Sequence, residues 1–408
     1  MVPRPPTGPT TPTHPDDLVV PAGAGWSDVG PRLSTILDPT APRSGPAVVV
    51  ATSGSSGRPK RVRLAGAALR ASGEATATVL GGHGRWVLAL PTHHVAGLQV
   101  LARSVLAGTV PVTLQEGAPF TAGTFARAVQ EAGGADRGWG RGGPDPQEPG
   151  VPLYASLVPT QLHRLLADPL GTLAASRLDA VLLGGAAADP GLLVRAEAAG
   201  VRVVTTYGMS ETAGGCVYDG VPLPGVLVRT DPGDGRIRIG GPVLADGYPE
   251  DTDLTASSFV VRDGERWFLT GDRGRLRDGR LEVLGRVDDL VVTGGHKVEP
   301  RDVETALRAL PDVQDAVVVG VPDPEWGQVV AALLVPAAGA GRVDGPAPPT
   351  PPEFGSGPDL ARVREALSAS LPRHALPRRV RLRDAIPLLP SGKPDRLQVA
   401  RLLGAPRS

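Results

Sequence analysis

The sequence has a single cysteine, Cys216, in 408 residues, so no internal disulfide can form and the chain suits a reducing cytoplasm. It has no surplus of charge either: Lys plus Arg and Asp plus Glu both total 42. That balance gives no footprint for nucleic acid or for an anionic membrane surface. No apolar run approaches the ~20 residues that span a bilayer. The leading MVPRPPTGPTTPTHPDD lacks the apolar core of a signal peptide, which leaves a loose N-terminal arm on a cytoplasmic protein without membrane insertion. Aromatic residues make up only 3% of the chain, while glycine (54) and proline (44) abound. That bias is read as codon composition and carries no functional argument. The length admits two or three domains, and no internal repeat is present.

Short β-rich runs alternate with helical patterns. Ala47–Ala51, Trp86–Leu90, Val110–Leu114, Tyr154–Val158, Ala180–Leu183 and Arg202–Thr205 read as strands. Ala65–Val79, Val95–Ala107, Thr121–Ala132, Pro159–Leu166 and Pro190–Ala199 read as helices. The alternation predicts an α/β large domain with a mostly parallel sheet, whose ligands sit at the carboxyl ends of strands. The phosphate-loop candidate, the His93–His94 pair, Gly184–Gly185 and Thr206–Glu211 each follow a predicted strand, so chemistry is expected along one sheet edge. From Val226 to Leu284, DGR and DGER turns separate short strands, which predicts a small antiparallel β subdomain. A small α+β domain follows. The expected division is 1–45 as arm and truncated N-terminal subdomain, 46–287 as the large domain, and 288–408 as the C-terminal domain. Gly133–Gly150 reads as a mobile surface insertion and Ala337–Gly357 as a disordered loop.

Within Thr52–Lys60 (TSGSSGRPK), Thr52, Ser53, Ser55 and Ser56 offer hydroxyls, while Gly54 and Gly57 let backbone N–H groups turn toward an anion. This is not a Walker loop, because Lys60 follows Arg58 and Pro59; in isolation a flexible surface turn is the better reading. In TYGMSE, Tyr207 offers a face for a purine, Gly208 a turn, Ser210 a phosphate donor and Glu211 a ligand for Mg²⁺; a capping serine with a solvated glutamate is the plain alternative. Asp272 in LTGD could hold ribose hydroxyls, or simply close a turn. GRVDDLVVTGGHKVEP and PSGK contribute Arg286, Asp288, the Gly294–Gly295 pair and Lys393; a β-hairpin and a solvated tail lysine are their plain readings.

Each piece is weak, but their order from residue 52 to residue 396 resembles the adenylate-forming superfamily of acyl-CoA synthetases, adenylation domains and luciferases. The resemblance implies ATP, Mg²⁺ and CoA as ligands. Thr52–Lys60 would close over the β- and γ-phosphates. Gly184, Gly185 and Tyr207 would flank adenine, Ser210 would meet the α-phosphate and Glu211 would hold Mg²⁺. Asp272 would take the ribose and Arg286 the nucleotide, while Lys393 would stabilise the adenylation transition state. Asp288 would be the hinge of a mobile C-terminal domain, and Gly294–Gly295 would line the thiol's approach. Ser56 stands where the family has threonine, and Arg61 where it has glycine.

PTHHVAGLQVLARSVLAG, SLVPTQLHRLL, LLGGAAAD and TTYGMSETAGGCVYDG resemble, in particular, the short actinobacterial o-succinylbenzoate–CoA ligases of menaquinone biosynthesis. In that family His94 and Arg103 would line the acid site, where a dicarboxylate needs a cation for the carboxylate that is not activated. A helix-capping histidine and a surface arginine are the alternatives. Nine residues apart on one helix, the two emerge on opposite sides, so they share a pocket only if His94 lies in the preceding loop. A metal reading of His93–His94 fails for want of a third ligand. A ligase for another acid, or a stand-alone adenylation domain, is the competing enzyme. A non-catalytic relic would have eroded Lys393, Glu211 or Asp272, which are all present. The sequence leaves the oligomeric state, monomer or homodimer, open.

Overall fold

The computed structural model describes residues 14–42, 44–52, 60–114, 119–133, 150–337, 360–388 and 394–404. Among the site candidates, Ser53, Gly54, Ser55, Ser56, Gly57 and Lys393 lie outside these residues, as do most of the 133–150 and 337–357 tracts. The chain divides into two compact units. The first holds Met1–Asp231, Ile237–Thr270 and Leu276–Glu282; the second holds Pro232–Arg236, Gly271–Arg275 and Val283–Ser408. Among the described residues no helix is long and apolar enough to cross a membrane.

The first unit opens with β1 (Leu18–Val19), α1 (Trp26–Ile36), β2 (Ala47–Thr52) and β3 (Lys60–Ala65). These strands form a three-stranded sheet, β1 parallel and β3 antiparallel to β2. The described residues from 14 onward are folded, with Leu18, Val29, Leu33 and Ile36 buried, while residues 1–13 of the expected arm lie outside the described residues. The folded segment is tied down by Asp17, whose carboxylate accepts from Arg63 Nε and Nη2 at 2.9 and 3.0 Å.

Next come α2 (Gly66–Leu80), β4 (Arg85–Leu88), α3 (Val95–Leu106), β5 (Val112–Thr113), α4 (Ala122–Gly133), β6 (Leu153–Leu157), α5 (Pro159–Leu166), α6 (Pro169–Ser176), β7 (Ala180–Leu183), α7 (Pro190–Ala198), β8 (Val203–Met209), β9 (Gly214–Tyr218) and β10 (Val221–Pro222). A seven-stranded sheet in the order β10-β9-β8-β7-β6-β4-β5 results, parallel from β8 to β5. Leu153, Ala155 and Leu157 point alternately from β6 into a core completed by Phe125, Leu162, Leu165 and Ala174 of α4, α5 and α6. One expectation needs correction. Thr52 and Lys60 lie on β2 and β3, since KRVRLA pairs back along β2 before α2 begins. These two residues border the smaller sheet, and only the other three candidate groups share the edge of the seven-stranded one.

The turn-rich stretch contains β11 (Leu227–Thr230), β12 (Arg236–Gly240), α8 (Thr252–Ser258), β13 (Phe259–Arg262), β14 (Glu265–Arg277) and β15 (Arg280–Arg286). Its pairings are antiparallel between β11 and β12 and between β13 and β14. Strand β14 continues through Asp272 where the sequence suggested an end.

In the second unit β16 (Val291–Thr293), β17 (His296–Val298), α9 (Pro300–Arg308), β18 (Val313–Asp323), β19 (Gly327–Pro336), α10 (Leu360–Leu367), β20 (Arg379–Leu382) and α11 (Arg396–Gly404) make a five-stranded sheet covered on both faces. The period of two sorts the side chains: Val318, Val330, Ala332 and Leu334 pack with α9 and α10, while Val317, Val319, Val329 and Leu333 pack with α11.

Candidate active site

Because β4, β7 and β8 are parallel, the segments after them emerge at one edge of the sheet. His94 occupies the N-cap position of α3 with extended backbone, and its side chain makes no capping bond. Gly184 and Gly185 follow β7 directly. Strand β8 extends through Tyr207 and Gly208, so these residues are part of a strand and not of the loop inferred from sequence. The reason is the antiparallel partner β9, with Gly208 opposite Gly215. The two backbones come so close that a Cβ on Gly208 would stand 2.1 Å from the Gly214 carbonyl oxygen. Ser210 and Glu211 lie in the single 3₁₀ turn Ser210–Thr212 joining these strands.

Glu211 is held from two sides. Its Oε1 accepts a hydrogen bond from Tyr248 Oη at 2.9 Å, and its carbonyl oxygen accepts from Ala245 N at 2.9 Å. Burial, reinforced by the charge of Glu211, pushes the Tyr248 phenol above its ordinary pKa, so it stays a donor. Lys60 Nζ lies 5.7 Å from the centroid of the same ring. The 246–250 segment is pinned to β3 by a backbone bond from Arg63 N to Gly247 O at 3.0 Å. Ion pairs Arg61–Glu250 and Arg63–Asp246 flank that bond. Arg61, where the family has glycine, thus ties β3 to the 246–250 segment. Tyr248 escaped sequence reasoning. The signal was available: in a chain with only 4 tyrosines, each one warrants a question.

Arg103 is not a surface residue. It lies on α3, about 2.5 turns and ~13 Å along the helix from His94, and is only 4% exposed. Its guanidinium stands 5.0 Å over the Trp86 ring, and its Nη2 donates to Tyr218 Oη at 3.2 Å. Among the described residues its buried Nε has no hydrogen-bond partner. Desolvation holds its pKa below the ordinary value, opposed by Tyr218 alone. His94 and Arg103 therefore mark the two ends of one helix, the first at the sheet edge and the second deep beneath it. Cys216 is fully buried and its thiol is pushed up to about 12 by desolvation, which leaves it no role as a nucleophile.

In the second unit, Arg286 Nη1 lies 3.6 Å from Asp272 Oδ1, and its Nη2 lies 3.8 Å from Asp288 Oδ2. Three of the predicted residues are thereby brought together. Gly294 and Gly295, with φ of 54° and 80°, form the two-residue turn of the β16–β17 hairpin, a conformation other residues adopt only under strain. Among the described residues no group of three His, Cys, Asp or Glu side chains could hold a metal by itself. Any Mg²⁺ at Glu211 would have to share its coordination with substrate phosphates, as this ion commonly does.

The family described as AMP-binding enzyme C-terminal domain matches residues 302–393. The "Probable 2-succinylbenzoate--CoA ligase" of Mycobacterium tuberculosis is 43% identical over 360 residues, covering 87% of this chain and 84% of the relative. Among solved structures, o-succinylbenzoate CoA synthetase (MenE) from Bacillus subtilis, in complex with the acyl-adenylate intermediate OSB-AMP, aligns with a TM-score of 0.67 at 26% identity, covering 86% of this chain and 68% of that chain. ATP-bound MatB from Rhodopseudomonas palustris aligns with a TM-score of 0.71 at 26% identity, covering 87% of this chain and 67% of that chain. The fold is that of the adenylate-forming enzymes. Within them, this chain belongs to the 2-succinylbenzoate–CoA ligase family.

Proposed function

We propose that this chain joins o-succinylbenzoate to CoA at the expense of ATP, yielding o-succinylbenzoyl-CoA, AMP and pyrophosphate, a step of menaquinone biosynthesis. A substrate carboxylate oxygen attacks the α-phosphorus, and the bond to pyrophosphate breaks. The CoA thiolate then attacks the acyl carbon of the mixed anhydride, and AMP leaves with the oxygen. Thr52–Lys60 is assigned to the β- and γ-phosphates, Ser210 to the α-phosphate, Gly184, Gly185, Tyr207 and Gly208 to the adenine side, and Asp272 and Arg286 to the ribose and nucleotide. Lys393 is assigned to the transition state of the first step, Asp288 to the hinge and Gly294–Gly295 to the thiol's approach. Mg²⁺, held by Glu211 and the phosphates, would supply charge neutralisation. His94 is assigned to the acid at the sheet edge.

The observation that carries the choice of acid is Arg103. A buried guanidinium that among the described residues meets a phenol, an indole face and no carboxylate is costly unless an anion completes it. A dicarboxylate with one group at the phosphates and the other at Arg103 supplies that anion, whereas a monocarboxylic acid leaves the charge unmet. Arg103→Ala is expected to raise KM for o-succinylbenzoate by about 10- to 100-fold, with KM for ATP unchanged. Equal changes in both, or none, would remove Arg103 from the acid site.

A further inference from the structure

Arg103 does not stand alone, and the direction of every hydrogen bond beneath it can be fixed. Thr76 Oγ1 lies 2.7 Å from the carbonyl oxygen of Ser72, one turn earlier on α2, and spends its only hydrogen there. Thr76 Oγ1 also lies 3.0 Å from Tyr218 Oη, so in that contact the phenol is the donor and the threonine the acceptor. With its hydrogen committed, Tyr218 Oη accepts from Arg103 Nη2 at 3.2 Å. The result is a one-way chain from Arg103 through Tyr218 and Thr76 to the Ser72 carbonyl, linking α3, β9 and α2. Tyr218 is 3% and Thr76 1% exposed, so water does not compete for these bonds. The Trp86 ring lies under the guanidinium on another side. A cavity of about 10 Å³, the size of one water, is lined by Gly73, Thr76, Trp86 and Arg103 among others. It is too small for a carboxylate, so an acid must meet Arg103 elsewhere than there.

We infer that Tyr218 is a positioning residue for substrate selection: through the Arg103–Tyr218–Thr76 chain it fixes the guanidinium plane so that its remaining N–H groups receive the carboxylate that is not activated. The inference rests on the assignment of Arg103 to the acid site. A flexible arginine at this depth could turn to fold back on local carbonyls; bonded to Tyr218 and stacked on Trp86, it keeps one orientation, with its buried Nε lacking a partner among the described residues. Tyr218 touches neither substrate nor nucleotide in this scheme and acts only through Arg103.

The test is a double-mutant cycle on the full chain, with KM measured separately for o-succinylbenzoate, ATP and CoA. Tyr218→Phe keeps the ring and removes the bond; it is expected to raise KM for o-succinylbenzoate by about tenfold, leaving KM for ATP and kcat within twofold. Thr76→Val, which removes the acceptor below the phenol, should give a weaker change of the same kind. In an Arg103→Ala background, Tyr218→Phe should add nothing. A Tyr218→Phe change that raises all KM values together, or that persists in full in the Arg103→Ala background, overturns the positioning role while leaving the acid-site assignment standing. If Arg103→Ala itself leaves KM for o-succinylbenzoate unchanged, the acid-site assignment fails and the positioning role falls with it.

Discussion

Tyr248 joins Lys60 and Glu211, the residues proposed for the phosphates and Mg²⁺, receiving Lys60 over its ring and donating to Glu211 through its hydroxyl. Its neighbours keep it there: Phe259 packs at 5.9 Å between ring centroids, and the Arg61–Glu250 and Arg63–Asp246 pairs hold the backbone on either side. Tyr248→Phe keeps the ring and removes the hydroxyl that donates to Glu211 and also meets Ser258. A charge-assisted hydrogen bond of this kind contributes about 2 kcal/mol, so adenylation should slow by roughly tenfold or more. If Glu211 binds Mg²⁺, the Mg²⁺ needed for half-maximal nucleotide binding, read by calorimetry, should rise as well. Unchanged Mg²⁺ dependence would mean that the bond serves packing alone. Glu211, Lys60 and Arg103 were legible in the sequence because order along the chain singles them out. Their partners were not: Tyr248 belongs to no motif, and although Tyr218 lies within TTYGMSETAGGCVYDG and Trp86 opens a predicted strand, nothing in the sequence pairs either with Arg103.

At the scale of elements, periodicity located strands β4 to β8 and helices α2 to α5 and α7 to within a few residues, but missed α6, β9 and β10. Pro159–Leu166 and Ala180–Leu183 are bounded as expected, because a proline opens the helix and Gly184 follows the strand. The sequence concealed the elements whose amphipathic pattern is short or interrupted. Helix α1 carries Pro31 in its interior and lies beside a Pro- and Thr-rich lead, and β1 is only two residues long. What secures them is charge: Arg63, 5% exposed, receives Asp17 on one side and Asp246 on the other. Asp17→Ala would leave that guanidinium half-compensated and is expected to destabilise the first unit by about 3 kcal/mol. A urea midpoint that falls with an unchanged slope would register the loss. A midpoint equal to that of the unmodified chain would show that Asp246 suffices.

At the scale of the molecule, one sheet edge gathers His94, Gly184–Gly185 and Glu211, while a second compact unit gathers Asp272, Arg286 and Asp288. That two-part distribution suits a reaction in two halves, activation of an acid and transfer to a thiol. Only the ordered series of motifs made the reaction class legible, since composition and charge excluded alternatives without naming a chemistry. The central claim is that one chain carries out both halves on a dicarboxylic aromatic acid. The most direct measurement follows AMP, pyrophosphate and acyl-CoA together when the purified chain meets ATP, Mg²⁺, o-succinylbenzoate and CoA. The account predicts equimolar AMP and o-succinylbenzoyl-CoA under turnover, and pyrophosphate exchange that needs the acid but not CoA. Absence of exchange with o-succinylbenzoate, or release of ADP in place of AMP, would contradict it.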